Sequence, residues 1–224
     1  MSALPAREAV SAVATLSARE LTHRYSPRRG LDPVSFDLAG PGVTAVTGPN
    51  GSGKSTLLRI VAGLLRPSGG SCVLACEGRE LPARARRPAI GLAAPDLSFY
   101  EEFTVGENLS FAAEARGLDD PRGRVRESLE RVGLLARAAD RADALSSGMR
   151  QRLRLAFALL HQPPVLLLDE PGSHLDDDGR VMVARLVGEH AERGLVLIAT
   201  NEEREKTLAG HAIQLRGRGV GDPA

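Results

Sequence analysis

Residues 48–56, with the sequence GPNGSGKST, constrain this chain more than any other segment. Two glycines enclose four residues, a lysine and a hydroxyl side chain follow, and an apolar stretch typical of a strand precedes them. Glycines let successive backbone N–H groups face one anion, and the helix predicted to begin at Lys54 adds the positive end of its dipole. The pattern therefore predicts a loop that binds the phosphates of a nucleoside triphosphate.

The lysine of this loop is expected to contact the nucleotide directly. Lys54 would reach the β- and γ-phosphates, and the Ser55 hydroxyl would bind Mg²⁺. Only Lys54 and Lys206 are lysines among 29 basic residues, and the planar guanidinium of arginine does not replace a compact ammonium in such a loop. The predicted nucleotide-binding residues of the loop are Gly48, Pro49, Asn50, Gly51, Ser52, Gly53, Lys54, Ser55 and Thr56.

A second motif, VLLLDEP, covers residues 165–171. A continuous apolar run that ends in two carboxylates is typical of a buried parallel strand, and its carboxyl end would lie beside the phosphate loop. Asp169 is then expected to hold Mg²⁺, and Glu170 to polarise the attacking water as a general base.

The alternation of apolar patterns predicts an α/β domain with a mostly parallel sheet and a helical lobe. In the helix predicted over residues 148–161, the side chains of Arg150, Arg152 and Arg154 are expected to point away from the apolar face. Residues 1–14 are rich in alanine without a clear period and are predicted to form a loose tail. The other helices are predicted over residues 54–63, 106–116, 121–132 and 177–193, and the strands over 12–22, 34–38, 43–47, short segments within 71–93, 165–168, 195–199 and 212–215.

Composition limits the classes of partner and the location. The net charge of +1 argues against binding nucleic acid through bulk charge, and no apolar run approaches the roughly 20 residues that span a bilayer. Cys72 and Cys76 are expected to be reduced thiols, which together with the lack of a secretory pattern predicts a cytoplasmic protein. The arginines at positions 84, 86 and 87 are expected to lie in a solvated loop.

A third motif, LSSGM at residues 145–149, opens the helix that precedes the acidic strand. In this order the motifs resemble those of ATP-binding cassette (ABC) ATPases, whose signature is LSGGQ, and the resemblance runs over nearly the whole chain. It implies a P-loop NTPase (RecA-like) core with a mostly parallel sheet, N-terminal antiparallel strands and an inserted helical subdomain at about residues 97–158. All of this would form a single domain over residues 15–224.

The resemblance also implies a mechanism. Two such domains dimerise head to tail, a homodimer being expected, and each ATP with its Mg²⁺ lies between the phosphate loop of one domain and the signature of the other. Ser146, Ser147 and the N–H of Gly148 would contact the nucleotide bound by the partner, Tyr25 would stack on adenine, and Asp176 would lie in a loop that crosses the interface. A separate membrane-spanning permease would dock beside residues 95–100 and hold the chain on the inner face of the membrane.

Two positions depart from the family pattern. Pro95 stands where the family places a glutamine that contacts Mg²⁺, and the neighbouring Asp96 could substitute as a metal ligand. Asn201 stands where the family places a histidine; its amide can donate to the γ-phosphate but cannot become cationic. The catalytic set implied is Glu170, Lys54 and Asn201, with slower hydrolysis expected. Proline and asparagine at these positions are similar to a subset of bacterial haem-exporter-like ATPases.

Two alternatives to a transporter ATPase remain open from the sequence. The departures at Pro95 and Asn201 allow a catalytically weak, regulatory ATP-binding subunit. A soluble ABC ATPase that does not act in transport is the other. Lys54 and Ser147 are only 93 positions apart, which leaves no room for the long coiled coil of DNA-repair relatives, so no nucleic acid is expected as a partner.

Overall fold

The computed structural model describes residues 14–26 and 29–217. Of the predicted tail over residues 1–14, only Ala14 lies within the described residues, and it begins the first strand. In this part of the chain the strands are β1 (Ala14–Ser26), β2 (Arg29–Ala39), β3 (Gly42–Thr47), β4 (Gly69–Cys76), β5 (Arg79–Leu81), β6 (Ile90–Ala93), β7 (Val165–Asp169), β8 (Leu195–Ala199) and β9 (His211–Gln214). The α-helices are α1 (Lys54–Val61), α2 (Val105–Ala115), α3 (Pro121–Arg131), α4 (Ser147–Leu159), α5 (Asp177–Ala191) and α6 (Glu203–Lys206).

The strands form two sheets of different kinds. A five-stranded sheet has the order β6-β7-β8-β3-β9, and every neighbouring pair in it is parallel. A four-stranded sheet of order β2-β1-β4-β5 is antiparallel throughout. Strands β7 and β8 are buried at every position, as their continuous apolar runs require in a parallel sheet that is covered on both faces. The α/β class, the parallel sheet and the N-terminal antiparallel strands are confirmed.

Parallel pairing brings three sequence motifs to one edge of the sheet. In the register of the central strands, Val46 of β3 pairs with Ala199 of β8, and Ala199 pairs with Asp169 of β7. The phosphate-loop segment follows β3, the acidic pair stands at the end of β7, and Asn201 follows β8. All three therefore leave the sheet at its carboxyl edge, where open α/β sheets bind ligands.

The central strands separate two apolar cores. Leu167 of β7 packs in a cluster with Leu57 of α1 and Leu16 of β1, between the two sheets. Its neighbour Leu166 packs in the other cluster, with Leu109 of α2 and residues of α3, α4 and α5. Successive side chains of a strand point to opposite faces, so β7 serves both cores and fixes the phosphate-loop helix relative to the helical layer.

The prediction that the three arginines of α4 point away from an apolar face is wrong for two of them. Arg150 is exposed. Arg152 is half-buried and donates to the Val132 carbonyl at 2.9 Å, and Arg154 is half-buried and donates to the Leu97 carbonyl at 3.2 Å. Helix α4 packs against β6, α2 and α3 at once, so its polar side chains are in part enclosed rather than solvated.

The expected solvated cluster of arginines is also wrong at one position. The side chains of Arg84 and Arg87 are exposed, but Arg86 is buried, with 5 % of its surface accessible. Its guanidinium bonds to the Ile60 and Val61 carbonyls at the end of α1, so the charge lies at the negative end of that helix dipole. Two further bonds tie the helix to β4 and β5. The guanidinium donates to the carbonyl oxygens of Ile60, Val61, Cys72 and Leu81.

The helices of the described residues do not fit a bilayer. The longest of them, α5, has 15 residues, and a transmembrane helix needs roughly 20 apolar ones. Within residues 14–26 and 29–217, none combines the length and the apolar character that crossing a membrane requires.

Candidate nucleotide-binding site

The loop between β3 and α1 has the backbone geometry of an anion cradle. Gly51 and Gly53 have φ angles of +82° and +99°, in the left-handed region that favours glycine. A Cβ on Gly53 would also lie 2.9 Å from the Gly30 carbonyl oxygen, so no larger residue fits there. Helix α1 begins after Gly53 without a side-chain cap, which leaves its first N–H groups available for an anion.

Lys54 folds back across this loop. Its side chain is buried, and Nζ donates to the carbonyl oxygens of Gly48 at 2.8 Å and Pro49 at 3.4 Å. The Ser52 hydroxyl is buried in the same loop without a hydrogen-bond partner in the structure. A charged donor and an unpaired hydroxyl thus face a loop of backbone groups, which is the donor set that phosphate oxygens require.

Asn201 approaches the loop from the end of β8. Its amide fits its neighbours best with the nitrogen donating to the Gly48 carbonyl at 2.7 Å and the oxygen accepting from Lys54 Nζ at 3.1 Å. Asn50 lies beside the same amide at 3.1 Å. The structure therefore places Asn201 in contact with the phosphate loop, as the sequence order of the motifs predicts.

The two acidic residues at the end of β7 differ in environment. Asp169 is buried, and burial raises its pKa, while the Ser55 hydroxyl acts against this shift and the nearby Glu170 carboxylate adds to it. Glu170 is exposed and has a φ angle of +49°, and its N–H donates to the Ala199 carbonyl at 2.9 Å. One carboxylate is enclosed beside a hydroxyl, and the other faces the open cavity.

The residues here fit a divalent cation. Ser55 and Asp169 supply a hydroxyl and a carboxylate oxygen in contact, and the raised pKa of Asp169 shows a buried carboxylate that a cation would stabilise. Groups of three or more histidine, cysteine or acidic side chains with metal-site geometry do not occur among the described residues. Mg²⁺ in nucleotide sites binds one or two carboxylates and completes its shell with phosphates and water.

A cavity of about 610 Å³ borders the phosphate loop, Ser55 and Glu170. Tyr25 stands at its open side with half of its surface accessible, and its ring meets that of His23 edge to face at 4.5 Å between centroids. The lining residues are Tyr25, Gly30, Asn50, Gly51, Gly53, Lys54, Ser55, Thr56, Arg59 and Glu170.

Asp96 has a partner at the border of this cavity. Its Oδ2 pairs with Arg59 Nη2 at 2.9 Å, and the negative charge of Asp96 contributes to the raised pKa of Asp169. Asp96 is therefore near the acidic end of β7, held by an arginine of α1. Arg59 belongs to none of the sequence motifs, so the motifs did not predict this contact.

The signature residues line a second cavity, of about 490 Å³, which shares no lining residue with the first. Ser146 caps α4, and its Oγ accepts from the Met149 N–H at 3.2 Å. Asp176 caps α5 in the same way by accepting from the Gly179 N–H at 2.8 Å. Within one chain the structure therefore does not bring Ser146, Ser147, Gly148 and Asp176 to the phosphate loop.

Comparison with known proteins assigns this chain to a family. The chain matches the ABC transporter family over residues 31–173. It is 38% identical to the uncharacterized ABC transporter ATP-binding protein YxlF of Bacillus subtilis, over 83% of this chain and 62% of that protein. It is also 38% identical to the phosphonates import ATP-binding protein PhnC of Bordetella parapertussis, over 85% of this chain and 82% of that one. The chain thus spans about three fifths of the length of YxlF.

Solved structures agree in fold. The dimeric ATP-binding cassette MJ0796, in a post-hydrolysis state with ADP and Pi, aligns with a TM-score of 0.80 at 23% identity, over 89% of this chain and 94% of that one. The cbiO1 protein of Clostridium perfringens, part of the cbiONQ transporter complex, aligns with a TM-score of 0.73 at 28% identity, over 90% and 85%. On the family match, the relatives and the arrangement of its motifs, this chain belongs to the ABC transporter family of ATP-binding proteins.

Proposed function

We propose that this chain is the ATP-binding and ATP-hydrolysing subunit of a membrane transporter, and that ATP-driven closure of two such domains powers transport. The observation that carries the proposal is the convergence of Lys54, Ser55 and Glu170 on one cavity, with Asp169 in contact with Ser55. These are the groups that phosphoryl transfer needs: a phosphate-binding ammonium, ligands for Mg²⁺ and a base for water.

The residues divide the reaction among them. Lys54 would exchange the Gly48 and Pro49 carbonyls for the phosphate oxygens of ATP, and the N–H groups that open α1 would bind the same anion. Ser55 and Asp169 would hold Mg²⁺, which when bound neutralises charge that develops on the phosphates. Glu170, exposed to the cavity, would orient the attacking water and accept its proton.

Asn201 and Asp96 would take the places of two family side chains. Asn201 lies close enough to Lys54 and Gly48 for its amide to donate to a γ-phosphate bound between them. Asp96 would contribute to the metal site only after leaving Arg59. Because an asparagine amide carries no charge and Asp96 is already paired, we expect slow hydrolysis, and a regulatory subunit with little turnover is the second candidate.

The separation of the two cavities supports a dimer. Ser147 and Gly148 form a face at the start of α4, in a cavity that shares no lining residue with the phosphate-loop cavity of the same chain. In a head-to-tail dimer each such face would close over the nucleotide of its partner, and the helix N-terminus would then face the γ-phosphate. Such a dimer would bind ATP more tightly in its closed state, so ATP would shift the population towards closure.

An exposed aromatic cluster indicates where the membrane subunit would dock. The chain has only seven aromatic residues, five Phe and two Tyr, yet Tyr100, Phe103 and Phe111 are each at least 40 % exposed and lie together. Tyr100 is 5.2 Å from Phe103 and 5.6 Å from Phe111 between ring centroids. Solvent-exposed aromatic clusters of this kind are typical of interaction surfaces.

A groove of about 320 Å³ is lined in part by Phe157, whose ring lies 6.1 Å from that of Phe99, the neighbour of Tyr100 in the chain. It has an apolar floor that includes Leu92 and Leu97, and its charged lining is mostly basic, from Arg59, Arg87 and Arg116. We propose that a short amphipathic helix with an acidic residue, from a separate membrane-spanning subunit, occupies it. The chain would then be cytoplasmic and peripheral on the inner face of the membrane.

Replacing Lys54 should weaken nucleotide binding, because no other ammonium lies in the loop of residues 48–56. Lys54→Ala is expected to weaken ATP binding by about tenfold or more, since a charge-assisted hydrogen bond contributes about 1.5–3 kcal/mol. Titration with a fluorescent ATP analogue measures this. Lys206→Ala, which removes the other lysine, serves as control because Lys206 pairs with Glu203 at the surface, away from the phosphate loop. Equal affinities for the two variants would contradict the assigned site.

Replacing Glu170 should separate binding from hydrolysis. Glu170→Gln is expected to lower the steady-state rate of phosphate release by about 10²–10⁴-fold, because the amide cannot accept a proton from water. Its affinity for ATP should stay near that of the wild type. If wild type and variant release phosphate at the same background rate, the regulatory candidate replaces the hydrolysing one.

The aromatic cluster should be needed for recovery with the membrane subunit. Tyr100→Ser combined with Phe111→Ser is expected to abolish co-purification of a membrane-spanning protein from detergent-solubilised membranes, with ATP binding unchanged. Val181→Ser is the matched control, since Val181 is also an exposed apolar side chain, 70 % accessible on α5. Wild-type protein recovered only from the soluble fraction would instead favour a soluble ABC ATPase.

A further inference from the structure

The turn after β7 is held from both sides by buried polar side chains outside the motifs. Glu205 of α6 accepts a hydrogen bond from the Gly172 N–H at 2.7 Å through Oε1. Gln151 of α4 donates from Nε2 to the Pro171 carbonyl at 3.1 Å. Both side chains are almost fully buried, at 6 % and 2 % accessibility. Neither lines the nucleotide cavity, so neither is expected to touch ATP.

The turn is one that needs support. Glu170, which begins it, has a φ angle of +49°, and His174 further along has +62°, both in the left-handed region where side chains with a Cβ are disfavoured. Such residues persist where surrounding contacts fix them. The Glu170 N–H bonds to the Ala199 carbonyl at the end of β8, and two backbone bonds lie within the turn, from the Ser173 N–H to the Glu170 carbonyl and from the Leu175 N–H to the Gly172 carbonyl. The Gly172 N–H itself bonds to Glu205.

Glu205 is an unusual choice for a buried contact. Burial raises the pKa of this carboxyl, the nearby charges of Glu202 and Glu170 act in the same direction, and the Thr200 hydroxyl and the Gly172 N–H act against them. Among the described residues no cation pairs with it. A buried acid without a cation is costly, and the hydrogen bonds from the Gly172 N–H and the Thr200 hydroxyl offset part of that cost.

The approach of Glu205 also depends on a glycine. A Cβ at position 172 would lie 2.6 Å from Glu205 Oε1, closer than atoms can pack, so a side chain there would displace the carboxylate from its present position. The backbone of Gly172 is not in the left-handed region, so this glycine is not required by its own conformation. The close contact with Glu205 is therefore what disfavours a side chain at position 172.

We propose that Glu205 is a positioning residue for the candidate catalytic site. It stands four residues after Asn201, and its partner Gly172 stands two residues after Glu170. The bond thus joins the segment that follows β8 to the segment that follows β7, and fixes Glu170 and the loop to Asp176 relative to the phosphate loop. The inference rests on the proposed ATPase function, since Glu205 acts through Glu170.

Substitutions at position 205 separate the effect of losing the hydrogen-bond acceptor from the effect of losing side-chain volume. Glu205→Leu keeps the volume and loses the acceptor, and should lower kcat by about tenfold while KM for ATP changes less than twofold. Glu205→Gln keeps an oxygen that can accept from the Gly172 N–H and should recover most of kcat. Glu203→Gln, on the exposed side of the same helix, is the matched control. Equal kcat values for Glu205→Leu and wild type would overturn the proposal.

A second pair of variants tests the contact from its other partner. Gly172→Ala pushes a methyl group against the carboxylate and should lower kcat as Glu205→Leu does. Glu205→Ala removes the carboxylate that the new methyl group would meet. Adding Gly172→Ala to Glu205→Ala should therefore cost little further activity. Additive losses in the double variant would overturn the proposed contact, because neighbours that share one interaction are expected to be non-additive.

Amide hydrogen exchange tests the positioning without any hydrolysis. In nucleotide-free protein, the Gly172 amide should exchange at least tenfold faster in Glu205→Leu than in wild type, with Glu205→Gln close to wild type and β8 unchanged. Unchanged exchange at Gly172 would overturn the inference even if wild type hydrolyses ATP. Faster exchange together with an inactive wild type would instead contradict the proposed ATPase function and leave the contact itself established.

Discussion

Parallel pairing of β3, β8 and β7 is the constraint on which the candidate site depends. Strands that run side by side in one direction end at one edge, so the phosphate loop, Asn201 and the acidic pair emerge together although they are far apart in the chain. The apolar runs of β7 and β8 are buried on both faces, and exposure begins just beyond them, at Glu170 and Asn201. Chemistry at this edge follows from a packing requirement of the sheet.

The sheet places the groups, and local backbone geometry prepares them. Glycines with left-handed backbone angles let the loop turn into α1, and the N-terminus of this helix has no side-chain cap. Lys54 bonds to the Gly48 carbonyl of the same loop. Asp169 is enclosed next to Ser55, so its charge is poorly solvated until a cation binds. The nucleotide-free site thus holds an ammonium and a carboxylate whose best partners are phosphate and Mg²⁺.

Much of this arrangement could be predicted from the sequence. The strands β3, β7 and β8 are short apolar runs next to motifs, and the motif order alone indicated that they would meet. The burial of Arg86 could not be predicted, because its partners Ile60 and Cys72 lie 26 and 14 residues away and carry no local signal. The same holds for Glu205, whose contact with Gly172 joins positions 33 residues apart.

Errors at the ends of elements have a similar cause. Strand β1 was expected to end at residue 22 but continues to Ser26, because Arg24 pairs with Gly30 of β2 after an irregularity in the register. Pairing with a neighbouring strand, and not apolar alternation, sets that boundary.

In α4 the arginines were expected to point away from the apolar face, but packing on β6 and on two helices encloses Arg152 and Arg154 and directs them to backbone carbonyls.

The central claim is that one chain holds two halves of different nucleotide sites, and that ATP joins them. Sedimentation equilibrium of the Glu170→Gln variant, which should bind ATP without hydrolysing it, tests this most directly. The account predicts a monomer without nucleotide or with ADP, and a dimer with saturating ATP and Mg²⁺. A variant that binds ATP with unchanged affinity and remains monomeric at saturating ATP would contradict it.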